Sequence, residues 1–290
     1  EKDMSQAQPA AIAVLGTGII GAAVACNLAR KGFAVRAWNR SPDKAQALAA
    51  DGVAACAAAA DAVRGADVVI TAGKDGAAVA EAMRQAEAGL APGQIWLQLA
   101  TIGLDATADL SAWATARGLV FYDAPVVGTR QPAETGQLVM LAAGPQSHRE
   151  TAQAAFDAIS RRTVWISERP GDGSRLKLVI NNWVLALTHG AAETLALAQG
   201  LGLDPALALE TIAGGPLDVP YLQLKGKAML AGDYTVSFSV DNAAKDAGLV
   251  LAAAEAAGVR MDGSAAGLAR FQRAIAAGHG DKDMAATFLA

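Results

Sequence analysis

The chain is poor in the residues that mark several protein classes. Its 290 residues include two cysteines and three histidines, and only 18% are charged. Cys26 and Cys56 sit in alanine-rich segments with no pattern of a disulfide framework or metal motif, so a reducing cytoplasm is the simplest setting. His148, His189 and His279 stand far apart without ligand spacing, and no metal site is expected. A net charge of −4 offers no broad basic field for nucleic acid or for an anionic membrane. No apolar run approaches the roughly 20 residues that a spanning helix needs. The opening EKDMSQAQP is polar, lacks the apolar stretch of a signal peptide and reads as a flexible end. Apolar residues are abundant instead, at 53%, with alanine prominent throughout. That composition fits a helix-rich enzyme with much buried or subunit-covered surface.

The first half alternates β-rich runs with helical segments. AIAVLG, AVRAWN, DVVIT, QIWLQL and LVFYDAPV are separated by helical lengths, and such alternation predicts a parallel sheet covered by helices on both faces. After Gly171 the strands vanish. The remainder is helical, broken at Gly200 to Pro205, at GGPLDVPY and at AGDYTVSFS, where Gly, Pro and Asp supply turn chemistry. The expected domains are 10–171 and 172–290.

AIAVLGTGIIGAAVACNLARKGF carries Gly16, Gly18 and Gly21 in GxGxxG spacing, directly after a strand and at the head of a helix. With Thr17, Ile19 and Ile20 between them, they form a dinucleotide-binding turn. Gly16 permits the tight bend, Gly18 lets backbone approach a pyrophosphate, and Gly21 lets helix and strand pack closely. At the end of the second strand, an acidic residue would accept hydrogen bonds from the adenosine ribose. None stands there. RAWNRSPDK places Asn39, Arg40 and Ser41 where a 2′-phosphate would lie, which favours NADP(H) over NAD(H).

RLKLVINNWVLAL, from Arg175 to Leu187, has helical spacing, with Leu178, Val179, Leu185, Ala186 and Leu187 available for packing. Lys177 and Asn181 then share one face, four residues apart. Two readings of that pair are open from the segment itself: a snorkelling lysine beside a structural asparagine, or a pair that does chemistry.

Taken in order, the glycine motif, DAPVVG, the Lys177 segment and KDAGL resemble the β-hydroxyacid dehydrogenase family, which includes 3-hydroxyisobutyrate dehydrogenases and glyoxylate or succinic semialdehyde reductases. The resemblance runs from Ala11 to the C-terminus. It implies an α/β Rossmann domain followed by an all-α C-terminal domain, joined by a long interdomain helix, in a homodimer or homotetramer built through the helical domain. It also implies that Lys177 is the catalytic acid/base, since an ammonium beside a reacting carbonyl can protonate the oxygen as hydride reaches carbon. Asn181 would orient the substrate and Asp246 would orient Lys177, in a cleft between the domains. By the same resemblance Thr101 and Lys245 touch the cofactor, and Phe238 walls the substrate pocket.

One departure bears on the substrate. The family has a serine after DAPV, whose hydroxyl helps hold a substrate carboxylate. This chain has Val127, followed by Gly128 and Thr129. A carboxylate missing one partner binds less well by roughly 1–3 kcal/mol. RQPAETGQL otherwise resembles the glyoxylate and succinic semialdehyde reductase branch. Two alternatives stay open: an imine reductase acting on C=N in an apolar pocket, and a non-catalytic member serving as a binding module.

Overall fold

The computed structural model describes residues 10–290. The opening nine residues, with the flexible end expected of them, lie outside the described residues.

Strands β1 (Ala11–Leu15), β2 (Ala34–Trp38), β3 (Ala54–Ala55), β4 (Val68–Thr71), β5 (Ile95–Gln98) and β6 (Val120–Asp123) pair in parallel in the order β3-β2-β1-β4-β5-β6. Side chains alternate across a strand, so an apolar run is buried on both sides only if both faces are covered. β1 shows this: Ile12 and Val14 join one core with Val24, Leu28 and Phe156, while Ala13 and Leu15 join another with Val79, Met83 and Leu110. Helices Ile19–Arg30 and Arg149–Ile159 cover the first face, and Gly76–Ala86 and Leu104–Ala116 cover the second.

The sheet is parallel-dominated, as the alternation predicts, with antiparallel pairing added at its far end. β7 (Val126–Val127) and β6 both run antiparallel to β8 (Leu138–Ala143), and β9 (Ser160–Ser167) runs parallel to β8. Only the five-residue helix Arg130–Glu134 and a turn link β7 to β8. A parallel crossover needs a dozen or more residues, so this connection returns as an antiparallel pair. LVMLAA in β8 is buried throughout, and a short unbroken apolar run carries no periodicity to mark it as a strand.

The chain divides into two compact units, one up to Lys177 and the other Leu178–Ala290. The division falls inside the helix Asp172–Gly200. The second unit continues with helices Ala206–Ile212, Pro220–Ala231, Val240–Ala256 and Asp262–Ala276 and a 3₁₀ segment Met284–Leu289. Leu185, Val240, Ala243, Phe271 and Met284 form one part of its core, and Ala192, Leu195, Leu209 and Met229 another. Leu178 and Leu185 are buried as their spacing predicts. Val179 and Ala186 are not, because each lies about 100° around the helix from its buried neighbour.

A polar hub ties the end of the chain to this unit. Asp283 accepts from Lys225 Nζ at 2.6 Å and from the N–H groups of Ser237, Phe238 and Ala285. Burial pushes its carboxyl up, but the Lys225 ammonium and these N–H groups outweigh that and hold it below the ordinary aspartate value.

Candidate active site

Because β1, β2, β4 and β5 are parallel, their C-terminal ends lie along one edge of the sheet. Gly16 to Gly18, Asn39 to Ser41, Ala72 to Lys74, and Thr101 all follow them there. Gly16 has φ of +99°, and a Cβ at Gly21 would collide with the Gly16 carbonyl oxygen. Glycine at these two positions is what lets the helix Ile19–Arg30 start hard against β1. Gly18 faces open space, with nothing within 4 Å of where its side chain would stand. No side chain caps this helix, and a helix start leaves its first N–H groups without intrahelical partners. Ile19 and Ile20 form the first turn, with Ile20 packed on the core beneath.

Thr17 is only 4% exposed, and its Oγ1 is buried with no hydrogen-bond partner among the described residues. Its N–H donates to Asn39 Oδ1 at 3.0 Å, and Asn39 Nδ2 donates to the Ser41 carbonyl at 3.0 Å. Asn39 therefore laces the end of β2 to the glycine loop. Arg40 and Ser41 are exposed beside it. A cleft of about 240 Å³ opens here, lined by Gly16, Gly18, Asn39, Arg40 and Ser41, with Lys44 and Lys74 on its rim. Glu81 on the far wall is paired with Arg84. An orphaned hydroxyl, an open glycine, a helix start and three rim cations suit a dinucleotide bearing several phosphates. Lys44 and Lys74 are not among the residues that the sequence pattern singles out. The signals for them are the place of Lys44 in the short helix Pro42–Gln46 just after Arg40 and the position of TAGKDG directly after β4.

Lys177 and Asn181 lie one turn apart on the helix Asp172–Gly200, Lys177 partly buried and Asn181 buried. Asn181 Nδ2 donates to Asp246 Oδ2 at 2.7 Å, and Lys245 Nζ lies 2.9 Å from Asp246 Oδ1. Asp246 is 1% exposed, so a buried carboxylate is held between an amide and an ammonium. An asparagine that donates to a carboxylate turns its carbonyl oxygen the other way, as an acceptor. Phe238 lies just before the helix Val240–Ala256, partly buried against Val240 and Phe271, with its N–H donating to Asp283 Oδ2 at 3.2 Å.

Val127 belongs to β7 and pairs with Val139, while Gly128 and Thr129 form the turn before the helix Arg130–Glu134. Valine presents no hydrogen-bonding side chain at the family's serine position. Arg130 lines a groove of about 440 Å³ with Thr17, Gly18 and Lys44, on the side of the glycine loop. Among the described residues no group of three or more His, Cys, Asp or Glu side chains could hold a metal, and no helix is long and apolar enough to cross a membrane.

Asp123, the first residue of DAPVVG, carries no signal in the sequence that marks it out. It is wholly buried at the end of β6. Its Oδ2 accepts from the N–H of Gly171 at 2.9 Å and of Ser174 at 2.7 Å, and its Oδ1 accepts from Ser174 Oγ at 2.8 Å. Thr107 Oγ1 lies 3.1 Å from Ser174 Oγ and donates to the Gly103 carbonyl at 2.7 Å. Burial raises the Asp123 carboxyl above its ordinary value, against the pull of these donors.

Residues 11–167 match the family described as the NAD binding domain of 6-phosphogluconate dehydrogenase, and residues 171–289 match that described as NAD-binding of NADP-dependent 3-hydroxyisobutyrate dehydrogenase. Fold, glycine cleft and matches together define an NAD(P)-dependent oxidoreductase acting on hydroxyl or carbonyl groups. The chain belongs to the β-hydroxyacid dehydrogenase family, the group that contains 3-hydroxyisobutyrate dehydrogenase. It is 29% identical to glyoxylate/succinic semialdehyde reductase 1 of Arabidopsis thaliana, over 96% of this chain and 97% of that one. It is 32% identical to the L-threonate dehydrogenase of Cupriavidus necator, over 94% and 93%. The crystal structure of 3-hydroxyisobutyrate dehydrogenase from Salmonella typhimurium superposes with a TM-score of 0.88 at 25% identity, covering 97% of this chain and 99% of that one. An imine reductase from Pseudomonas sp. shares the fold at a TM-score of 0.65 and 21% identity, over 97% and 99%.

Proposed function

We propose that the protein is an NADPH-dependent reductase of small carbonyl compounds related to hydroxy acids and semialdehydes, with Lys177 as its proton donor. The observation that carries this reading is the placement of Lys177 one helical turn from Asn181, whose amide is oriented by the buried Asp246. The cofactor, when bound, supplies the hydride. Lys177 then holds a proton at the carbonyl oxygen and stabilises the negative charge that grows there. In the reverse direction the neutral lysine takes the hydroxyl proton. Asn181 presents its oxygen to the substrate hydroxyl, and Asp246 and Lys245 keep that amide from rotating. Cofactor binding is assigned chiefly to 10–171, with Arg40, Ser41 and Lys44 around the 2′-phosphate and Thr101 toward the nicotinamide, and Lys245 is the helical unit's assigned cofactor contact. Val127, Gly128, Thr129 and Phe238 are assigned to the substrate.

Two of the named relatives act, by their names, on glyoxylate or succinic semialdehyde and on L-threonate, and small carboxylate-bearing carbonyls are the first candidates. Without a serine hydroxyl at Val127, the N–H groups of Gly128 and Thr129 would have to hold the carboxylate. The same valine favours the second reading, reduction of an uncharged carbonyl or imine. The deciding experiment is NADPH oxidation against glyoxylate, succinic semialdehyde, uncharged aldehydes and cyclic imines. Fast turnover of the first two supports the primary reading, and turnover confined to the others supports the second. No turnover of any would favour a binding module. Lys177→Ala should lower kcat by roughly 10²–10⁴-fold while leaving NADPH affinity intact, and retained turnover would refute the role given to Lys177.

The helical unit is proposed as the dimer contact. Val179, Trp183, Leu197 and Leu201 follow one another along the long helix and its end, each more than half exposed, and solitary chains rarely leave such a stripe to water. A cytoplasmic setting belongs to the same proposal, with Cys26 and Cys56 as free thiols in its support.

A further inference from the structure

The long helix begins in an unusual way. The N–H groups of Gly171, just before the helix, and of Ser174, in its first turn, are bonded by a carboxylate from a distant strand, while the Asp172 N–H donates to the Arg169 carbonyl at 3.3 Å. Asp123 Oδ2 takes both the Gly171 and the Ser174 N–H, and Asp123 Oδ1 takes the Ser174 hydroxyl. The backbone is pressed against the strand ends at the same point. A Cβ on Gly173 would stand 2.5 Å from the Leu141 carbonyl oxygen and 2.6 Å from that of Asp123, so the helix can be seated this deeply only with glycine there.

Helical geometry turns this anchor into a statement about the active site. Three residues advance a helix by about 4.5 Å and turn it about 300°, so Lys177 stands one turn above Ser174, about 60° around on the same side, and Asn181 on the next turn lies within about 20° of Ser174. The stripe Ser174, Lys177, Asn181 is thus pinned at its base by Asp123. A shift of about 1 Å in a reacting group can cost 10²-fold in rate.

We infer that Asp123 is a positioning residue for the reaction: by capping the helix through Gly171 and Ser174 it sets the height and rotation of Lys177 over the substrate. Thr107 braces the same hydroxyl from the helix Leu104–Ala116. The inference rests on the proposed role of Lys177.

The hydrogen-bond pattern supplies a test that separates geometry from charge. An asparagine at position 123 can accept both backbone N–H groups with its oxygen and donate from Nδ2 to Ser174 Oγ. Ser174 then donates to Thr107 Oγ1, which donates to the Gly103 carbonyl. Asp123→Asn therefore preserves the anchor, and Asp123→Ala removes it. The measurement is kcat and KM at saturating NADPH for both variants, per active site counted by NADPH titration, with Lys177→Ala alongside. Asp123→Ala should lose roughly 10–100-fold in kcat with NADPH affinity within about twofold of the parent, and Asp123→Asn should recover most of the loss. If Asp123→Ala does not fold, Ser174→Ala serves, with a several-fold fall in kcat expected at unchanged NADPH affinity. Parental kcat in the folded Asp123→Ala or Ser174→Ala protein overturns the inference, as does an Asp123→Asn protein as slow as Asp123→Ala. Retained turnover in Lys177→Ala is a separate failure, that of the acid/base reading itself.

Discussion

Thr17 keeps a buried hydroxyl with no hydrogen-bond partner among the described residues, and a buried orphan of this kind costs about 1–3 kcal/mol. Thr17→Val should leave the cofactor-free protein as stable as the parent or more so. On the proposed assignment of the Thr17 hydroxyl to the cofactor phosphates, it should also raise the NADPH dissociation constant several-fold. Calorimetry with and without NADPH checks both halves, and unchanged affinity would show that the hydroxyl serves the loop alone. Arg40 tests cofactor choice: Arg40→Ala should raise the KM for NADPH far more than that for NADH, as steady-state kinetics with the two cofactors would read. Both positions stood in the sequence pattern. The orphaned state of Thr17 did not, because whether a hydroxyl is satisfied depends on neighbours far along the chain.

Among the elements, the helix Ile19–Arg30 was legible from its strand, glycines and following strand. Gly21 shows why the glycines are needed, since an added methyl would overlap the Gly16 carbonyl. Gly21→Ala should push helix and strand apart, with a fall in melting temperature and loss of NADPH binding in thermal scans with and without cofactor. The helix Asp172–Gly200 was legible too, with Lys177 and Asn181 on one face. Its anchor on Asp123 was not, because the cap is supplied from residues about fifty positions away, and local capping signals describe only neighbours. The β7–β8 return was missed for a related reason: a two-residue strand and an unbroken apolar run carry no period.

For the molecule as a whole, acid stability should be governed in part by His189. It lies against Phe271, and burial, with the nearby Arg270 charge, lowers its pKa from 6.5 to about 4. Between those values the unfolded chain binds a proton that the folded one refuses. The contribution is therefore complete above about pH 6.5 and is lost as pH falls toward 4, to a limit of about 3 kcal/mol. Asp283, held low, loses its contribution further down in the acid range, while Asp123, held high, acts in the opposite sense. Denaturant melts of the parent and His189→Gln from pH 7 to 4 should show a shallower decline in the variant. Composition, strand periodicity, the glycine spacing and the Lys177 to Asn181 interval are local or repeating features, and they sufficed for the α/β and helical halves, the dinucleotide turn and the family. The cation rim at Lys44 and Lys74, the pairing of Asn181 with Asp246, the anchor at Asp123 and the antiparallel end of the sheet came only with the folded chain. Each depends on which distant segments share an edge or a buried carboxylate, and burial and long-range pairing are decided when the whole core closes.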